Sequence, residues 1–126
     1  MTYVDGFVIP VPEGKIEAYR EMAQTAGEIW IEHGALLYKE CVLEDGEPTM
    51  PDDAPESCKI TPFRDLAGAK EGETVIFAFI TYKSRQHRDE VNGKVMADPR
   101  LKCDENNMPF DPSRMTFGGF KAIVDL

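Results

Sequence analysis

Two carboxylates lie inside segments whose alternate residues are aromatic or aliphatic, and they are the first candidates for chemistry. Asp5 lies two residues from Tyr3 and from Phe7, and Glu40 lies two residues from Tyr38. Alternate residues of a strand share one face, so each acid is predicted to face an apolar surface. A carboxyl group enclosed in this way loses hydration, has a raised pKa and can act as a general base. An ion pair at a subunit boundary is the alternative role for either acid.

His87 is the histidine whose predicted position favours chemistry. It falls in the first turn of a predicted helix, where the positive helix end disfavours imidazolium and keeps a neutral ring available as a base or hydrogen-bond donor. Arg85 and Arg88 beside it suit an anion, and plain surface solvation explains them equally well. His33 falls at the end of another helix, where capping or packing is the expected role. Arg114 near Asp111 predicts a loop-closing ion pair, with an anion-binding Arg114 as the alternative.

Several familiar kinds of site are excluded by spacing. Ser84, His87 and Asp89 crowd one helical turn and cannot form a hydrolase triad. The chain has no glycine-rich phosphate loop and no zinc-protease motif. Its three cysteines lack a CxxC pair and its two histidines are far apart, so we expect reduced thiols, no metal site and no cofactor. Cys41 is predicted to be a small buried residue, and Cys58 is not a nucleophile.

The elements that must position these residues follow from hydrophobic periodicity. Ile16, Tyr19 and Ala23 recur at helical spacing, whereas Thr74 to Tyr82 is apolar on both faces, as in a central strand. Residues 60–69 predict a short strand end and a turn of helix. The predicted strands are 3–11, 35–43, 74–82 and 115–124, and the predicted helices are 15–33 and 85–98.

This order predicts an α+β fold, a ferredoxin-like βαββαβ sandwich. Two helices cover only one face of a four-stranded sheet, and apolar strand residues are then left on the other face. A homodimer through the open sheet face is the simplest solution. Two facing sheets would form a dimeric α+β barrel wide enough for one small ligand.

Length and charge limit the function classes. A chain of 126 residues predicts a single domain, 1–126. The net charge of −9 disfavours nucleic acid as a partner, and a mean hydropathy of −0.36 with no long apolar run disfavours a membrane span. With no apparent signal segment, a cytoplasmic location is expected. Residues 43–58 hold six acids and no Lys or Arg, which predicts an exposed acidic loop.

Segments along the whole chain resemble the YbaA-like family of uncharacterised bacterial proteins. The resemblance implies the fold of the dimeric α+β barrels, a superfamily that includes cofactor-free monooxygenases, heme-handling enzymes and non-catalytic members. It transfers no catalytic residue, and the 43–58 loop looks longer and more acidic than the family pattern. The matching segments are 3–7, 33–36, 84–89, 91–92, 94–100, 108–111 and 118–120.

The sequence therefore predicts a small-molecule-binding homodimer, with cofactor-free acid–base or oxygen chemistry as one hypothesis. The alternative is a non-catalytic binding or stress-related dimer in which the same polar groups close a seam. A third hypothesis is an adaptor that uses the acidic loop as a docking segment. The candidate ligand-binding residues are Asp5, Tyr38, Glu40 and His87.

Overall fold

The computed structural model describes residues 1–47, 51–101 and 108–126. Within them, the four strands are β1 (Tyr3–Pro12), β2 (Leu37–Val42), β3 (Glu73–Tyr82) and β4 (Thr116–Lys121). The α-helices are α1 (Ile16–Glu32), α2 (Phe63–Ala67) and α3 (Arg85–Met96), with 3-10 turns at Glu13–Lys15, Glu56–Cys58 and Pro112–Arg114. The strand order is β2-β3-β1-β4 and all neighbours are antiparallel, which confirms the predicted ferredoxin-like α+β fold.

The core lies on the face of the sheet that α1 and α3 cover, called here the helix-covered face. Register pairs Asp5 with Ile80 and Ile9 with Ile76, so alternate residues of β1 and β3 point together toward the helices. One apolar cluster joins these strands to the first half of α1, and a second joins them to the end of α1 and to α3. The first contains Ile9, Val11, Tyr19, Ala23, Ile76 and Ala78, and the second contains Ile29, Ala35, Ile80, Tyr82, Val91 and Val95.

The opposite side of the sheet, called here the open face, is only partly covered. Phe77 and Phe120 are 43% and 60% exposed there. The short helix α2 contacts β1 and β3, and its Phe63 ring lies 5.9 Å from that of Phe77. The turn of helix predicted within residues 60–69 is α2, whereas the strand end predicted there does not form. The open face consists of Val4, Gly6, Val8, Pro10, Pro12, Leu37, Lys39, Cys41, Glu73, Val75, Phe77, Phe79, Thr81, Thr116, Gly118 and Phe120.

The observed ends of α1 and α3 agree with the predicted ends to within two residues, whereas β4 ends three residues before its predicted end. The hydroxyl of Ser84 accepts the His87 N–H at 3.1 Å and caps α3, and Gly34 follows α1 with a φ of 117° that favours glycine. Strand β4 ends at Lys121 rather than at residue 124, because its partner β1 begins at Tyr3, opposite Lys121. Helix α3 ends at Met96, two residues before the predicted end.

Two predictions about single side chains were wrong. Cys41 is exposed on the open face rather than buried. In β2, Tyr38 and Glu40 face the core, and Cys41 points to the opposite side of the sheet. Arg114 pairs with Glu73 at the start of β3, with distances of 2.7 and 2.8 Å, while Asp111 caps the adjoining turn. The remaining cysteine, Cys103, and residues 48–50 of the acidic loop lie outside the described residues.

The Glu73–Arg114 pair predicts an acid-sensitive part of the stability. Hydrogen bonds from Arg114 and from the Lys70 backbone lower the pKa of Glu73 from its ordinary value of 4.5 to about 2. A depressed pKa contributes stability above the ordinary value, and that contribution disappears as pH falls toward the folded value. Urea unfolding should show the wild type to be more stable than Glu73→Gln at pH 6, with the difference shrinking between pH 4.5 and 2. A difference independent of pH would contradict this assignment.

Candidate functional site

A groove of about 610 Å³ runs between α1 and the edge strand β2 on the helix-covered face. Its helix side is a stripe at three- and four-residue spacing, so one face of α1 lines it along most of its length. The strand side comes from alternate residues of β2. The lining includes Tyr19, Ala23, Gln24, Gly27 and Ile31 from the helix and Tyr38, Glu40 and Val42 from the strand.

Glu40 lies at the centre of a three-residue cluster in the groove. The Tyr19 hydroxyl donates to Oε2 at 2.7 Å, and the Tyr38 hydroxyl donates to Oε1 at 2.8 Å. Burial raises the pKa of Glu40 above its ordinary value, and the two hydrogen bonds offset part of that rise. Burial, together with the charge of Glu40, also raises the pKa of both phenols, so they keep their protons and remain donors.

The position of Tyr38 depends on a glycine in the facing helix. A Cβ atom at Gly27 would lie 2.6 Å from Cδ1 of the Tyr38 ring, so only glycine lets α1 approach the ring this closely. Trp30 closes the other side, with its ring centroid 6.2 Å from that of Tyr38. The ring is therefore held between helix and strand, with its hydroxyl directed at Glu40.

This arrangement presents a fixed hydrogen-bond acceptor group inside a groove with mostly apolar walls. Each carboxylate oxygen of Glu40 receives one phenol and keeps a second lone pair. The group can accept a hydrogen bond from a bound molecule. Because its pKa is raised, it is also better matched than an ordinary glutamate to removing a proton.

Comparison with known proteins places the chain among uncharacterised relatives. Residues 2–112 match the family described as "Protein of unknown function (DUF1428)". The chain belongs to this family. It is also 46% identical over 125 residues, 99% of both chains, to "Uncharacterized protein YbaA" of Escherichia coli strain K12, and equally similar to the protein of that name from Shigella flexneri. Membership confirms the resemblance seen in the sequence motifs, whereas the wider barrel superfamily stays an expectation.

Asp5 lies outside the groove, in a polar network between the sheet and α3. It is 2% exposed, and Nη1 of Arg88 donates to its Oδ1 at 2.7 Å. Burial raises the pKa of Asp5, and Arg88 offsets part of that effect, with smaller contributions from Tyr82 and Asn92. Gly119 of β4 leaves space for Tyr3 and for this guanidinium, because a Cβ there would lie 2.6 Å from the Tyr3 hydroxyl oxygen and 3.1 Å from Nη1. Asp5 and Arg88 thus satisfy each other within the fold.

The two histidines also have structural partners. Nδ1 of His87 accepts the backbone N–H of Lys83 at 3.0 Å, and the ring packs edge-on against Tyr82 with centroids 6.0 Å apart. Nε2 of His33 lies 2.8 Å from Oδ2 of Asp98. This contact joins the end of α1 to the segment after α3. Of the predicted ligand-binding residues, the structure therefore brings Tyr38 and Glu40 together and places Asp5 and His87 elsewhere.

Across 1–47, 51–101 and 108–126, no group of three or more His, Cys, Asp or Glu side chains is placed to hold a metal ion. In that same part of the chain, no helix has both the length and the apolar character needed to cross a bilayer.

Two residues of the site were missed by sequence reasoning. Tyr19 was assigned only to the packed stripe of α1, although a buried phenol normally needs a hydrogen-bond partner. Gly27 was not considered, although a glycine inside a helix lowers helix stability and so indicates a packing reason. Both signals were present in the sequence, but neither identifies its partner on β2.

Substitution of Gly27 tests the contact that orients Tyr38. Gly27→Ala should destabilise the protein by about 1–3 kcal/mol, because the added methyl group overlaps the Tyr38 ring. Gly93→Ala in α3 is the matched control, since a Cβ there meets nothing within 4 Å. Helix propensity alone should make that variant more stable by up to about 1 kcal/mol. Equal effects of the two substitutions in thermal unfolding would contradict the packing argument.

Proposed function

We propose that the protein binds a small, partly apolar organic molecule in the groove between α1 and β2. The observation that carries the proposal is the Glu40 carboxylate, held by Tyr19 and Tyr38 in a groove with mostly apolar walls. Small-molecule sites typically combine apolar walls with a few fixed polar groups that orient the ligand. Glu40 is such a group.

The rigidity of the cluster supports binding. Both phenols are already oriented by packing, Tyr19 in the apolar core and Tyr38 between Gly27 and Trp30. A ligand that donates to Glu40 therefore meets a preorganised acceptor, which reduces the entropy lost on binding.

Cofactor-free acid–base catalysis is the second candidate function, and the raised pKa of Glu40 favours it. In such a step the carboxylate takes a proton from the bound molecule, leaving the electron pair on the substrate and a neutral Glu40. The phenols of Tyr19 and Tyr38 would then hydrogen-bond a neutral acid. Turnover by the wild type and its loss in Glu40→Gln would separate catalysis from binding alone.

Blocking the groove tests the binding proposal. Gln24 is exposed and lines the groove, whereas its neighbour Thr25 is exposed on α1 outside the groove lining. Gln24→Trp should remove the binding of small molecules that saturate the wild type, because the indole occupies the opening. Thr25→Trp should bind as the wild type does. Fragment screening by ligand-observed NMR gives the result, and unchanged binding by Gln24→Trp would contradict the proposal.

We further propose that the open face pairs with a second copy of the chain. The chain carries a net charge of −9, so two copies repel each other over most of their surfaces. The charged strand residues of the open face are Lys39 and, at one end, Glu73, and Arg114 neutralises Glu73 at 2.7 Å. Exposed Phe77 and Phe120 supply apolar area. The open face is therefore where two such acidic chains can meet with least repulsion.

A charge placed in the open face tests this assembly. Phe77→Lys should convert a dimer to a monomer, since an unpaired charge buried at the interface costs about 3 kcal/mol or more. Met96→Lys is the control, because Met96 is also an exposed apolar residue, at 65%, and lies on α3, away from the open face. Native mass spectrometry and sedimentation give the masses. A monomeric wild type would overturn the proposal, as would a dimeric Phe77→Lys.

The proposal extends to a cytoplasmic location. Cys41 and Cys58 carry free, exposed thiols, which suit a reducing compartment.

A further inference from the structure

We infer that the groove between α1 and β2 selects organic cations, meaning a protonated amine attached to an apolar body. The inference rests on the proposed binding function and specifies its ligand class. It follows from the charges along the groove, from their pairing, and from the donor and acceptor pattern around Glu40.

Positive charge in the groove is already neutralised. Among the described residues that line it, Arg20 is the one cation, and its side chain is 65% exposed. Its guanidinium pairs with Glu17 at 3.0 Å, one turn earlier on α1. Arg20 therefore points along the helix surface toward its own partner and offers little to a bound anion.

Negative charge in the groove is only partly neutralised. Glu28, Glu32 and Glu40 line it, and Glu32 pairs with Arg100. Within the described residues, Glu28 and Glu40 have no cationic partner; Glu28 accepts only from the neutral amide of Gln24, and Glu40 only from phenols. The groove thus has an uncompensated carboxylate inside it and another on its helix side.

The hydrogen-bonding pattern around Glu40 also favours an ammonium group. The two phenols act as donors to the carboxylate, so the lone pairs that remain can only accept. An ammonium group offers donors alone, and its charge opposes that of the carboxylate. A ligand carboxylate would face Glu40 with like charge, and a hydroxyl would gain a weaker, uncharged hydrogen bond.

The surroundings of Glu40 suit the rest of such a ligand. Glu40 supplies the acceptor, at the hydroxyl ends of the two tyrosines. Ile16, Ile31 and Val42 supply apolar wall on either side. An amine with an aliphatic or aromatic body of modest size matches both features.

Matched ligands test the inference. Each apolar body, for example phenylethyl, is offered as the amine, the alcohol and the carboxylate, and binding to the wild type is measured by protein-observed NMR at neutral pH. The amines should bind more tightly than their alcohols, the carboxylates should bind least, and the amide shifts should centre on Gly27 and Val42. High salt should weaken the amine more than the alcohol.

Three variants locate the selecting charge. Glu40→Gln should weaken amine binding about tenfold or more and leave alcohol binding nearly unchanged, since a charge-assisted hydrogen bond is lost. Glu28→Gln, at a more exposed carboxylate, should weaken amines about twofold. Glu21→Gln is the matched control, because Glu21 lies on α1 outside the groove lining and loses the same charge.

The outcomes separate this inference from the proposal on which it rests. Alcohols or carboxylates that bind in the groove as tightly as the amines would overturn the cation preference and leave binding in the groove intact. The absence of groove shifts for every compound would overturn both. If Glu40→Gln proves too unstable to study, equal amine affinities in Glu28→Gln and Glu21→Gln would still count against the inference.

Discussion

The antiparallel pairing of β1 with β3 is the constraint on which the other elements depend. These ten-residue strands lie at the centre of the sheet, in register from Tyr3 opposite Tyr82 to Pro12 opposite Glu73. Their apolar residues on one side form both core clusters, against which α1 and α3 pack. Edge strands β2 and β4 then add to either side. A shift of one residue in this register would exchange the two faces and bring Phe77 and Phe79 under the helices.

The strand acids Asp5 and Glu40 show how the same sequence context leads to different roles. Asp5 is on a central strand, beneath α3, where Arg88 can reach it, and Gly119 on the neighbouring strand leaves room for the guanidinium. Glu40 is on an edge strand, where no cation among the described residues pairs with it and α1 contributes a phenol instead. A buried charge needs a partner, and the kind of partner decides whether the site is closed or remains able to accept a ligand.

The position of the polar residues on the helix-covered face separates the candidate ligand site from the proposed dimer contact. The sequence predicts the ligand between two facing sheets, whereas Tyr38 and Glu40 point toward α1 within a single chain. The open face is instead mostly apolar and aromatic. The proposed dimer contact and the proposed ligand site therefore lie on opposite sides of one sheet, and each can be altered without substituting residues of the other.

The sequence by itself determined the fold class, the faces of the strands and the ends of the helices. Alternation in β1 and β3, helical spacing in α1, Ser84 and Gly34 are local signals, and each acts within a few residues of chain. The tertiary structure decided which polar groups meet. The contacts of Tyr19 with Glu40, Gly27 with Tyr38 and Arg88 with Asp5 span 21, 11 and 83 positions of chain respectively. No local pattern encodes such contacts, because they depend on how α1 and α3 are seated on the sheet.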